Sequence, residues 1–223
     1  MQNSVQGSTG KTIEISNIKI AIGLPLSWDY VPFEYVASVL PQFYRDGMML
    51  IRAARGRIDE MRNQIAKVAM VNGCTHVIFT DSDHRFHPRT FETLIKRDLP
   101  IVGALCYMRY PPFEPVMLKG EPGDYTIMEE WEDDLVEVDA TGAGCLCVKM
   151  EVFHNMEPPW FEFSPNPKPG YPLIGEDVTF CHKAKQLGYR IYVDTTVPCT
   201  HLATVEVDHR VYESFKQAPW GDV

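Results

Sequence analysis

The chain has no run approaching the roughly 20 apolar residues that span a bilayer, and its polar start, Met1 to Lys11, lacks the apolar segment of a secretion signal. It has no stripe of lysine and arginine, and with 30 acidic against 21 basic residues it carries a formal charge of −9. A nucleic-acid groove is therefore not expected. No pair of its six cysteines (Cys74, Cys106, Cys145, Cys147, Cys181, Cys199) has C-x-x-C spacing, and most lie in apolar runs. They read as small buried hydrophobes in a reducing compartment, so a soluble, cytoplasmic protein without disulfides is expected. Internal repeats and low-complexity tracts are absent too. What is present is 223 residues, 45% of them apolar and 11% aromatic, enough for one sizeable core.

Residues 1–16 read as a flexible leader and 17–223 as one domain. Ile18 to Leu24 is a short apolar run ended by Pro25, suited to a first buried strand. A helix is expected over Phe33 to Tyr44, weakened by Pro41. A stronger one runs from Ile58 to Val71, where Ile58, Met61, Ile65, Val68 and Ala69 recur at helical spacing before Asn72-Gly73. Thr75 to Thr80 is the second buried strand, Pro88 to Lys96 a helix, and Ile101 to Cys106 a third strand. This alternation indicates an α/β sheet with parallel neighbours.

After Met108 the character changes. Pro111, Pro112 and Pro115 mark a loop, and Asp124 to Val138 reads as short antiparallel strands. Thr141-Gly142-Ala143-Gly144 leads into a central strand, Cys145 to Val148, where backbone can approach closely. The proline- and aromatic-rich stretch from Glu157 to Pro172 suits a loop over a pocket. A helix follows from Glu176 to Leu187, closed by Gly188, then strands at Arg190 to Val193 and Val197 to Thr200.

Chemistry concentrates at Thr80-Asp81-Ser82-Asp83, directly after the buried run His76 to Phe79. In open α/β sheets ligands gather beyond the carboxyl ends of strands, where this turn falls. Mg²⁺ or Mn²⁺ takes a few carboxylates plus phosphate oxygens and water. The competing use of such a turn is to cap the next helix. His201, after the last apolar run, can supply an imidazole to a cation at Asp83, although a lone histidine is more often structural. His84 and His87 are nearer in sequence, with His87-Pro88 suited to a helix start.

Gly175-Glu176-Asp177 opens a helix whose dipole favours carboxylates. Glu176 or Asp177 is a candidate general base, and the helix start would hold it in place. Arg62 and Asn63 could meet a diphosphate or a base edge, a solvated helix face being the plainer alternative. Trp28, Tyr30 and Tyr35 suit either base stacking or the core.

Together these stretches resemble glycosyltransferases of the GT-A fold, particularly family-2-like and bacteriophage-type enzymes. The resemblance is carried by R-I-D-E-M-R-N-Q-I-A (57–66), H-V-I-F-T-D-S-D (76–83), P-I-V-G-A-L-C-Y (100–107), T-G-A-G-C-L-C-V (141–148), G-E-D-V-T-F-C-H-K-A-K-Q-L-G-Y-R-I-Y-V-D (175–194) and Thr200-His201-Leu202. It implies a Rossmann-like mixed β-sheet flanked by helices and a nucleotide-diphospho-sugar donor, UDP- or GDP-linked, held through Mn²⁺ or Mg²⁺. It assigns Asp83 and His201 to the metal and Asp81 to the ribose or a metal-bound water. Arg62, Asn63 and Pro25 are the expected donor contacts, and Asp177, with Glu176 beside it, is the base if the reaction inverts. The acceptor is unidentified. The chain departs from the family in lacking an acidic, Ser/Thr-rich stretch after its second strand and in having Leu202-Ala203 where Leu-Gly is common. The alternatives are a nucleotidyltransferase, for which Gly23-Leu24-Pro25 offers no basic Gly-rich phosphate loop, and a non-catalytic nucleotide-sugar binding module.

Overall fold

The computed structural model describes residues 4–6, 12–14, 18–27, 29–43, 47–204, 208–210, 213 and 216. Within 1–16, two short strands, β1 (Ser4–Gln6) and β2 (Thr12–Glu14), pair antiparallel. The rest of the expected leader lies outside the described residues, as do Trp28 and Tyr44.

The first layer of the fold is set by β3 (Ile20–Leu26), whose seven residues are all buried. It has parallel neighbours on both sides, β4 (Met48–Ala54) and β5 (His76–Thr80). The strand runs past Pro25 instead of stopping there. Pairing to β5 ends at Gly23 while pairing to β4 continues to Leu26, so the proline falls where only one neighbour remains. Between β3 and β4 come α1 (Phe33–Val39) and a 3₁₀ turn, Leu40–Gln42, which carries Pro41 and ends the expected longer helix early.

Helix α2 (Ile58–Val71) has the expected bounds, and Glu60 accepts the Arg57 N–H at 3.3 Å in its first turn. It lies so close on the sheet that a Cβ at Gly23 would come within 2.5 Å of Ile65 Cγ2. After β5 follow β6 (His84–Arg85), α3 (Thr90–Lys96) and β7 (Ile101–Cys106), then a small sheet in which β8 (Met117–Lys119) pairs with β9 (Thr126–Ile127) and with β11 (Ala140–Thr141). β10 (Leu135–Val138) precedes β11. β12 (Cys145–Lys149), α4 (Met150–Asn155), α5 (Glu176–Gln186) and β13 (Ile191–His201) complete the described elements.

The large sheet has the order β10-β13-β7-β12-β5-β3-β4, with β6 added on β13. β12 is inserted antiparallel between β5 and β7, and β13 runs parallel to β7. This is a mixed α/β sheet flanked by helices, as the sequence implies, with apolar clusters on both faces. All six cysteines are buried and free. Among the described residues no helix is long and apolar enough to cross a membrane.

Candidate functional site

The acidic turn sits at the carboxyl end of β5, and three backbone contacts place it. The Asp81 N–H donates to the Gly144 carbonyl at 2.9 Å, the His84 N–H to the Asp81 carbonyl at 3.2 Å, and the Leu202 N–H to the Asp83 carbonyl at 2.7 Å. The two-residue strand β6 then pairs with the end of β13, His84 opposite His201. That pairing brings the early acidic turn and the late histidine together. Beneath it Tyr35 is core: buried, its hydroxyl 2.8 Å from Thr80 Oγ1.

Asp83, His84 and His201 form a cluster whose ligand atoms lie within 4.8 Å of one another. His201 Nε2 is 3.4 Å from Asp83 Oδ2, and His84 Nδ1 is 3.1 Å from Asp83 Oδ1. His201 Nδ1 lies 2.8 Å from the Tyr107 carbonyl, an acceptor only, so that nitrogen carries the proton. Its Nε2 lone pair therefore faces Asp83, the tautomer a metal ligand needs. Burial, reinforced by His84 and Arg109, holds His201 below the ordinary imidazole pKa, against the opposing pull of the Tyr107 carbonyl. His84 is buried, with its Nε2 lacking a hydrogen-bond partner. Burial would lower its pKa, but the Cys106 thiol, then Asp81 and Cys145, raise it on balance. One carboxylate and two imidazoles form a donor set that suits a first-row divalent cation such as Mn²⁺. The residues present fit the ion. His84 is the ligand-type residue that the sequence does not single out. Its adjacency to Asp83 is a signal, but a strand as short as β6 leaves no pattern that would turn its side chain toward His201.

Arg62 links the acidic turn to the start of α5. Its Nη2 donates to Asp81 Oδ1 and Oδ2 at 2.9 and 3.0 Å, and its Nη1 contacts Glu176 Oε1. The guanidinium is buried on the apolar face of α2, not spread on a solvated face and not free for a diphosphate. One cation here meets three carboxylates, since Asp177 also acts on it. Burial, opposed by Arg62 and reinforced by Asp177, pushes Glu176 up to about 7. The Arg62 proton is held more tightly than usual, because Asp81 and Glu176 outweigh the cost of burial.

Asp177 is less enclosed. Its Oδ1 accepts the Val178 N–H at 2.8 Å and its Oδ2 the Ala143 N–H at 3.4 Å, which ties it to the Thr141–Gly144 turn. Asn63 plays a structural part. Its Oδ1 accepts from the Trp160 and Phe161 amides at 2.9 and 3.0 Å, and its Nδ2 donates to the Phe161 and Asp59 carbonyls. It clamps the start of the 157–175 loop to α2, with its hydrogen-bonding groups already used. Pro25 is buried inside β3, at the same edge of the sheet as the acidic turn. His87 serves the entry to α3, where the Arg89 N–H meets its Nδ1 at 3.3 Å.

A cleft of about 490 Å³ opens beside Asp83, lined by Tyr30, Tyr110 and Phe113 together with Ser82, Asp83 and Arg109. Tyr30 and Tyr110 are each 72% exposed, so both rings stand at the surface of the cleft. Arg109 carries no signal in the sequence, yet its Nη2 contacts Asp83 Oδ2 and its Nε donates to His201 Nε2 at 3.3 Å.

No family model and no curated protein matches this sequence. Solved structures do match in fold. Protein A197 from STIV aligns with a TM-score of 0.60 at 15% identity, over 85% of this chain and 87% of that one. GalNAc-T7, solved with UDP, GalNAc and Mn²⁺, aligns at 0.55 and 11% identity, over 85% of this chain and 44% of its own. The inositol-1-phosphate CTP transferase from T. maritima aligns at 0.50 and 11%, over 90% and 96%. At these identities the likeness is one of fold: this chain shares the architecture of GT-A glycosyltransferases and of nucleotidyltransferases.

Proposed function

We propose that the chain is a cation-dependent glycosyltransferase using a nucleotide-diphospho-sugar donor. The observation that carries this reading is the meeting of Asp83 and His201, from distant parts of the sequence, 3.4 Å apart at the carboxyl edge of the sheet. A divalent cation held there supplies charge neutralisation to a departing nucleoside diphosphate. The protein's own contributions surround it. His201 offers Nε2 because Tyr107 fixes its tautomer. Arg62 keeps Asp81 and Glu176 at set positions, so the acidic turn and the head of α5 act as one unit. Asp177, the more accessible of the two α5 carboxylates, takes the proton of the acceptor hydroxyl in an inverting reaction. Glu176, enclosed and tied to Arg62, serves as a positioning residue. The aromatic walls of the cleft suit the face of a base or sugar ring.

Transfer of a nucleotidyl group is the second reading, favoured by the 96% of the CTP transferase chain that aligns. The products separate the two: glycosyl transfer or hydrolysis releases a nucleoside diphosphate, nucleotidyl transfer releases pyrophosphate. A screen of UDP- and GDP-sugars with Mn²⁺ should release UDP or GDP. Asp83→Ala and His201→Ala should each weaken Mn²⁺ binding at least ~10-fold without unfolding the protein. Asp177→Asn should lower turnover about 10²–10⁴-fold with donor affinity nearly unchanged. Release of pyrophosphate from a nucleoside triphosphate would favour the second reading. Turnover by Asp177→Asn at the wild-type rate would remove Asp177 as the base.

A further inference from the structure

Arg109 occupies the two atoms that the proposed cation needs. Its guanidinium contacts Asp83 Oδ2 and donates through Nε to His201 Nε2. A guanidinium stays protonated in proteins, so it cannot release these acceptors by losing a proton; it can only move. A divalent cation and a guanidinium cannot share one carboxylate oxygen and one imidazole lone pair, because their like charges would be forced together. The side chain also has somewhere to go. The loop that carries it is pinned at its base by the Tyr107–Pro115 bridge and by the Met108 N–H to the Glu114 carbonyl at 2.8 Å. Its tip, with Tyr110 and Phe113, forms one wall of the cleft in front of Asp83. Arg109 is the one cationic side chain among the described residues that line that cleft, and it is 42% exposed, so turning outward breaks no packed core.

We propose that Arg109 is an internal counterion that a divalent cation displaces, and that the displaced guanidinium then binds the phosphate group beside the cation. This rests on the cation centre proposed above and adds to it a residue with two opposite effects. Without ligand, Arg109 competes with the cation for Asp83 and His201. Once a diphosphate is in the cleft, the fork of donors meets its oxygens, a geometry that guanidinium matches well. Cation and phosphate then help each other bind, because phosphate draws away the side chain that blocks the cation.

The test uses the full chain, Mn²⁺ alone and then inorganic pyrophosphate at saturating Mn²⁺. Free Mn²⁺ is read by electron paramagnetic resonance and pyrophosphate binding by calorimetry. Arg109→Ala should bind Mn²⁺ about three- to ten-fold more tightly than wild type, and pyrophosphate about ten-fold more weakly. Arg109→Lys keeps the charge without the fork and should fall between on both measures, which guards against a collapsed loop as the cause. Mn²⁺ affinity in Arg109→Ala equal to or weaker than wild type overturns the exchange while leaving the cation centre standing. Absence of Mn²⁺ binding in both wild type and Arg109→Ala overturns the centre and this inference together.

Discussion

Glu176 and Arg62 show how place on an element decides what a charged side chain does. Arg62 stands four residues after Ile58 and three before Ile65, on the same face of α2, so helical geometry carries it into the core. The spacing is present in the sequence, but the chemistry of arginine argues for solvent or ligand. Once buried, it is paired with the Asp81 carboxylate and contacts the Glu176 carboxyl. Glu176 bears the electrostatic cost. Its folded pKa stands near 7 against an ordinary 4.5, so between these values the folded protein holds a proton that the unfolded chain has released. The stability this proton contributes is complete below about pH 4.5 and is lost as pH rises toward 7. The loss amounts to at most about 3 kcal/mol. Glu176→Gln stays neutral throughout, so its stability in urea should fall less between about pH 5 and pH 8 than that of wild type, by up to that amount. Parallel pH profiles for the two proteins would show that Glu176 is ionised over the whole range.

At the scale of elements, the long periodic or fully buried segments are legible: α2, β5, β7, β12 and α5 lie where their residue patterns place them. β4 is not. Met48–Ala54 has one β-branched residue, Ile51, its apolar run over residues 48–51 stops at Arg52, and it is only partly buried at the edge of the sheet, so propensity does not mark it as a strand. The six residues of α4 are too few for a period to show. The two expected final strands are one, β13, whose register on β7 shifts between Asp194 and Cys199. The decisive short element is β6, two residues that pair His84 with His201 and are held against the Thr141–Gly144 turn. A Cβ on Gly144 would lie 2.8 Å from His84 Cε1, and the ring is backed by Phe86 at 6.3 Å between centroids. Gly144→Ala should therefore cost about 1–3 kcal/mol in denaturant unfolding, and it should weaken Mn²⁺ binding as His84 shifts. A variant of wild-type stability and Mn²⁺ affinity would mean that the ring has room the packing does not show.

For the molecule as a whole, the expected sheet and the place of the acidic turn at its edge are readable because both follow from buried strands ending in a carboxylate turn. Asp81, Asp83, Glu176 and His201 are connected at that edge through β6 and Arg62, and Asp177 is tied to the neighbouring turn by the Ala143 amide. The parts played by Asn63 and Arg109 are not readable. The first is engaged by a loop nearly a hundred residues away, and the second reaches the acidic turn from a proline-rich segment with no periodic signal. In a chain of net charge −9, two arginines meet the carboxylates here, Arg62 at Asp81 and Glu176 and Arg109 at Asp83. The most direct measurement is anomalous diffraction from a crystal soaked in Mn²⁺ and a nucleoside diphosphate. One strong peak is expected in contact with Asp83 and His201 Nε2, with the diphosphate beside it and Arg109 turned away from Asp83. A peak elsewhere, or a nucleotide bound with Arg109 still on Asp83 and no ion between them, would contradict that expectation.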